Sequence, residues 1–121
     1  MNDYGMGIVE TRFAEIIWAN EPISSTALTK LCEEQLNWKK STTYTVLKRL
    51  CDKGIFINNG GEVTSLIKEL DFYALQSERF VEENFKGSLP AFLVAFSARK
   101  NLSAKEIETL KQMVRDFEEG K

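Results

Sequence analysis

Two short β-type runs, Ile55-Phe56-Ile57 and Val63-Thr64-Ser65-Leu66-Ile67, flank Asn58-Asn59-Gly60-Gly61. Asparagine and glycine take the positive φ of a tight hairpin at little cost, so this stretch predicts a two-stranded wing. Three helical stripes precede it. Ile8, Val9, Phe13, Ile16 and Ile17 recur at helical spacing and predict a helix over roughly residues 8–20. It ends at Asn20-Glu21-Pro22, because proline cannot continue a helix and restricts the residue before it. Ser24 or Ser25 then caps a second helix, with Leu28, Leu31, Cys32 and Leu36 facing inward. After a break at Asn37-Trp38-Lys39, a third helix starts at Ser41 or a neighbour. It stops at Gly54, a left-handed cap, with Val46, Leu47, Leu50 and Cys51 inward. Three helices and a hairpin in this order form the plan of a winged helix-turn-helix.

Downstream, the pattern reads as three more helices. The first runs from about Leu70 to Phe85 and carries Leu70, Tyr73, Phe80, Val81 and Phe85. Lys86-Gly87-Ser88 breaks it, and Pro90 falls in the first turn of the next, where its missing N–H costs nothing. That helix has Leu89, Phe92, Leu93 and Phe96 on one stripe. Ser103 and Glu106 form a capping box before the last helix, whose stripe is Ile107, Leu110, Val114 and Phe117. This apolar surface has two readings. It folds back on the chain's own winged helix, or it meets a second copy. The second is favoured, because a two-fold dimer matches a palindromic site and a small lone domain binds DNA weakly. The expected class is therefore mainly α with a small β-wing. A winged helix-turn-helix DNA-binding domain over 1–68 precedes a helical dimerisation tail over 69–121.

Composition narrows the chemistry. There is no histidine, which removes Ser-His-Asp and Cys-His catalysis and the commonest metal ligand. Cys32 and Cys51 are each alone in their neighbourhoods and cannot build a structural zinc site. They read as reduced, buried thiols, with a redox switch as the alternative. No phosphate-cradling glycine motif is present. An enzyme, a metal and a cofactor are not expected. No apolar run suits a membrane span, and the start Met1-Asn2-Asp3-Tyr4-Gly5 lacks a leader pattern, which predicts a cytoplasmic protein without membrane insertion.

Net charge is −2, but its distribution matters more than the sum. Lys39, Lys40, Lys48, Arg49 and Lys53 stand against Asp52 alone in the third helical segment, whereas residues 69–121 hold ten acids and eight bases. Ser41, Tyr44, Thr45 and Lys48 share one polar face of that helix. Ser41, Thr42, Tyr44 and Thr45 suit base edges, and Lys39, Lys40 and Lys48 suit phosphates. Double-stranded operator DNA is the expected partner. A merely solvated helix face is the plainer reading, and a winged-helix protein adaptor without DNA affinity is the alternative function.

The chain resembles the penicillinase-repressor family, the BlaI/MecI group, which also holds copper-transport repressors. The likeness rests on Ile16-Ile17-Trp18 with Pro22-Ile23-Ser24, on Trp38 through Thr42 with Thr45, and on Val46-Leu47 and Arg49-Leu50. Lys53-Gly54-Ile55 follows, and the tail adds Phe80-Val81, Phe85, Gly87-Ser88-Leu89 and Leu102-Ser103 with Glu106-Ile107. The resemblance implies a homodimeric repressor of a resistance or metal-export operon. It also implies release by a sensor-controlled protease that cuts the tail; aligning Gly87-Ser88 places that bond at Ala95–Phe96. Three features depart from the family. Tyr44 stands where β-lactam repressors often carry arginine or lysine, so a bidentate arginine–guanine contact is lost there. Ala95 stands where they carry asparagine. The chain also ends Phe117-Glu118-Glu119-Gly120-Lys121, without the cysteine-rich tail of copper-responsive members, so copper sensing of that kind is not expected.

Overall fold

The computed structural model describes residues 5–120; the Met1–Tyr4 start read above for a leader, and Lys121, lie outside the described residues. The chain forms two compact units that divide between Glu78 and Arg79. The elements run α1 (Ile8–Asn20), β1 (Ile23–Ser24), α2 (Ser25–Leu36), α3 (Lys40–Asp52), β2 (Phe56–Asn59), β3 (Glu62–Ser65), α4 (Glu69–Phe85), α5 (Leu89–Ser97) and α6 (Ala104–Glu118). The fold is mainly helical with a small antiparallel sheet, as the sequence pattern predicts.

In the first unit, α1 buries Phe13, Ala14, Ile16 and Ile17. Ile8 and Val9, expected on the same inward stripe, are instead 84% and 55% exposed, because the helix starts one turn before the core does. Ser24 caps α2 by accepting a hydrogen bond from the Ala27 N–H at 3.0 Å. Asn37 ends that helix at φ 57°, a left-handed conformation asparagine tolerates well, while the Trp38 N–H donates to the Cys32 carbonyl. The Trp38 ring then stacks on Phe13 at 5.3 Å and fixes the turn between α2 and α3 against α1. α3 buries Thr43, Val46, Leu47 and Leu50. Cys51, read as inward, is only partly buried.

The turn of the wing is shorter than expected, and the first strand longer. β2 and β3 join through Gly60-Gly61 alone, at φ +62° and +94°, while Asn58 and Asn59 belong to the strand. The Asn58 side chain accepts from the Gly61 N–H at 3.0 Å, closing the turn. Ile55 lies just before β2, and its carbonyl accepts from both Leu66 and Ile67. The third strand, β1, pairs Ile23 with Val63 and Ser24 with Glu62, giving the order β1-β3-β2. The start of α4 completes this core. Phe72 is 3% exposed, and the Trp18 ring lies 5.4 Å from both Phe56 and Phe72. The Trp18 indole N–H donates to the Ile67 carbonyl at 3.0 Å.

The second unit holds the end of α4 with α5 and α6. Lys86 and Gly87 end α4 at φ 53° and 79°, and a Cβ on Gly87 would meet the Glu82 carboxylate at 2.8 Å. Ser88 caps α5 through the Ala91 N–H, with Pro90 in the first turn. Ser103 and Glu106 form the expected reciprocal box at the start of α6, with bonds of 2.9 and 3.1 Å. Phe80, Phe85, Phe92 and Phe96 meet ring to ring at 5.6–6.1 Å. Among the described residues of this unit none is buried.

Candidate nucleic-acid interface

α3 presents two faces of opposite character. Thr43, Val46, Leu47 and Leu50 are buried on the side of α3 that packs against α2 and β2, and Thr43 sits beside the Cys32 thiol. Ser41, Thr42, Thr45 and Lys48 are exposed on the outer side, with Lys39 and Lys40 exposed at its start. Helical periodicity enforces this separation, since residues three and four apart share a face. No side chain among the described residues caps the α3 N-terminus at Lys39, so the first-turn N–H groups stay open.

The hydroxyls on this face are already biased. Thr45 is exposed, and its Oγ1 donates to the Ser41 carbonyl at 2.9 Å, which leaves the oxygen free to accept. Tyr44 differs from its neighbours. It is half-buried, and its hydroxyl donates to Ser25 Oγ at 3.3 Å in the first turn of α2.

The positive charge on this face is narrower than the sequence count suggested. Arg49 turns away and pairs with Glu10 of α1 at 3.1 Å. Burial opposes ionisation of Glu10, but the Arg49 bond, the Gly7 N–H and the Lys53 charge outweigh it and hold the carboxyl below the usual glutamate range. Lys53 donates to the Gly5 carbonyl at 2.6 Å. Lys48 pairs with Asp52 at 3.2 Å, but both side chains are exposed, and such a pair is easily exchanged for a phosphate. Lys39, Lys40 and Lys48 are thus the cations that share the outer face.

The wing is anchored at its base by Glu21, which accepts from the Ser65 N–H and hydroxyl at 2.8 Å and from Lys68 at 3.3 Å. Burial raises the Glu21 pKa, but these donors outweigh it and hold the carboxyl below the usual range. Burial pushes the Cys32 thiol up against a weaker opposing bond from Thr43. Burial and the Asp52 charge do the same to Cys51. In both, burial disfavours the thiolate, the nucleophilic form.

The residues expected at a dimer contact fall into both units. Leu70 and Tyr73 belong to the first, where Tyr73 lies 6.2 Å from Trp18. Phe80, Val81, Phe85, Phe92, Leu110, Val114 and Phe117 belong to the second. There, α5 and α6 border a groove of about 440 Å³ lined by Phe92, Leu93, Phe96, Leu102 and Leu110. Ala95 and Phe96 lie within the last turns of α5, in helical conformation. Sequence reasoning missed Ser25 as a link and Phe72 as a core residue. A capping motif marks the first only as a helix start, and the second shares its helix with the tail stripe.

The described residues hold no group of histidine, cysteine, aspartate or glutamate side chains placed to bind a metal, and no helix long and apolar enough to cross a membrane. The chain is similar to the methicillin resistance regulatory protein MecI of Staphylococcus aureus, 27% identical over 115 residues that cover 92% of this chain and 94% of the relative. MecI proteins of Mammaliicoccus sciuri and Staphylococcus epidermidis are 26% identical over the same shares. Residues 6–116 match the family described as Penicillinase repressor. With that match spanning nearly all of its length, the chain belongs to the penicillinase repressor family, whose members are transcriptional repressors and not enzymes.

Proposed function

We propose that this repressor binds palindromic operator DNA in the cytoplasm as a homodimer, with α3 of each copy in a major groove. The observation that carries this reading is the outer face of α3. Lys39, Lys40 and Lys48 stand there beside Ser41, Thr42 and Thr45, while the opposite face is buried. The lysines would neutralise phosphates and supply affinity, and the hydroxyl residues would read base edges. Thr45 suits thymine, whose methyl meets the threonine methyl, or a base amino group, which its oxygen accepts. A phosphate at the α3 N-terminus would satisfy the open N–H groups.

The second unit would join two such heads. Leu89, Val94, Val114 and Phe117 are 57%, 71%, 57% and 75% exposed, which leaves apolar surface for a second copy to cover. Phe80, Val81, Phe85, Phe92 and Leu110 would contribute beside them. Release would follow cleavage of the tail by a sensor-controlled protease. A bond at Ala95–Phe96 lies in helix, and proteases cut extended chain, so α5 must first unwind. A helix of nine residues is short enough to do so readily.

A gel shift of the full chain on the DNA upstream of its own gene tests the reading. The expected result is a retarded band that survives competition by scrambled DNA and weakens steeply with salt. Equal retention of scrambled DNA, or none at low salt, would overturn it and leave the winged-helix adaptor.

A further inference from the structure

Tyr44 sits where three elements converge. Its ring borders the groove between α3 and β2, beside Leu47 and Phe56. Its hydroxyl donates to Ser25 Oγ at 3.3 Å, and the Ser25 N–H donates to the Gly61 carbonyl at 2.7 Å. Ser25 therefore ties α3 on one side and the wing turn on the other. Gly61 stands at φ +94° in a two-residue loop, so this backbone bond holds the one part of the wing that strand pairing does not. The neighbours of Tyr44 on the outer face lack such a link to α2: Thr45 bonds within α3, and Lys48 pairs with Asp52 on its own helix.

From this geometry we infer that Tyr44 is a positioning residue: it acts through Ser25 to fix the recognition helix against the wing turn, and does not itself read a base. This rests on the operator-binding reading above. A hydroxyl donated inward is withdrawn from the groove, and a half-buried ring reaches outward less than arginine or lysine would at the same place. What the link sets is the spacing between α3 and the wing. Two rigidly spaced contacts match one DNA geometry better than loosely spaced ones, so the effect falls on the ratio of operator to scrambled affinity. At 3.3 Å the bond is long for an O–H···O pair, so the effect is modest.

The test uses the full-length chain and three variants, Tyr44→Phe, Ser25→Ala and the double. Tyr44→Phe keeps the ring. Ser25→Ala leaves the Ser24 cap and the backbone bond to Gly61 in place, so all three should fold. Binding to operator and scrambled duplexes is read by fluorescence anisotropy, and the Ser25 and Gly61 amides by NMR without DNA. Each single variant should lower the operator-to-scrambled ratio by about two- to fivefold, the low end of one neutral hydrogen bond, and the double should fall no further. Both amide signals should move in Tyr44→Phe. A loss in Tyr44→Phe with none in Ser25→Ala would show direct reading of DNA and overturn the inference, as would additive losses or unmoved amides. Wild-type protein that does not distinguish the two duplexes would instead refute the operator reading itself, and this inference with it.

Discussion

Before Glu78, Phe13, Ile17, Leu28, Leu50, Ile55 and Val63 are wholly removed from solvent. After it, Phe80, Val94, Val114 and Phe117 remain 50%, 71%, 57% and 75% exposed, although α6 carries as regular an apolar stripe as α1. The same device, an amphipathic helix, thus has two outcomes. Where three helices, a sheet and Trp18 surround the stripe, the side chains are enclosed on all sides. Where α5 meets the end of α4 through Phe80, Phe85 and Phe92 and borders a groove with α6, no described side chain is buried. An apolar helical face left open is unfavourable in water, and this exposure is what motivates the proposal that a second copy covers it. On the proposed reading, the first unit would carry the DNA contacts and the second the association.

If that contrast is right, charge placed on the α6 stripe should divide function from folding. Val114→Asp with Phe117→Asp in the full chain should yield a monomer by light scattering while the first unit keeps its melting transition. Joined heads act at an effective concentration of order millimolar, so operator affinity should fall about 10²–10⁴-fold. A double variant that stays dimeric would place the interface elsewhere.

The complementary change strikes the closed core. Phe13 is fully buried and stacked on Trp38, so Phe13→Ala should cost about 3–5 kcal/mol in urea unfolding of the first unit. A loss below about 1 kcal/mol would mean that this core is less tightly closed than its burial indicates.

Within the proposed DNA face on α3, two substitutions should separate reading from affinity. Thr45→Ala should cost about 1–3 kcal/mol on operator and little on scrambled duplex. Lys40→Ala should weaken both and reduce the slope of log affinity against log salt by about one. Interchanged signatures would mean that α3 docks in a different register.

The smallest effect is expected at the base of the wing. Glu21 is held below the usual glutamate range by Ser65 and Lys68 against the opposing effect of burial. Its stabilising contribution is present above the unfolded-state value and is lost as pH falls through the lower folded-state value. Glu21→Gln should therefore be less stable than wild type at neutral pH, with the gap closing as acid protonates the carboxyl. A gap that is constant with pH would remove the carboxylate charge from the account.

Much of the first unit was legible because its signals are local. Gly60-Gly61 between β-type runs, Pro22 after α1 and the i, i+3, i+4 stripe of α3 each fix structure within a few residues. What escaped depends on distant partners. β1 is two residues long and exists only because Ile23 and Ser24 meet β3. Phe72 shares α4 with Phe80, and periodicity cannot say that one faces Trp18 and the other the second unit. The lysines of the outer α3 face stood out as a cluster, yet the Arg49–Glu10 pair that narrows it spans 39 positions. The Tyr44–Ser25 bond spans 19, too far for any pattern along one helix.

The central claim is that two reading heads are joined by the second unit. It is tested most directly by titrating the intact chain against two duplexes of equal length, one with the complete palindrome and one with a single half-site. Linked heads predict affinity for the palindrome at least about 10²-fold tighter, with two chains on each bound duplex. Equal affinities, with one chain on each half-site acting independently, would contradict it.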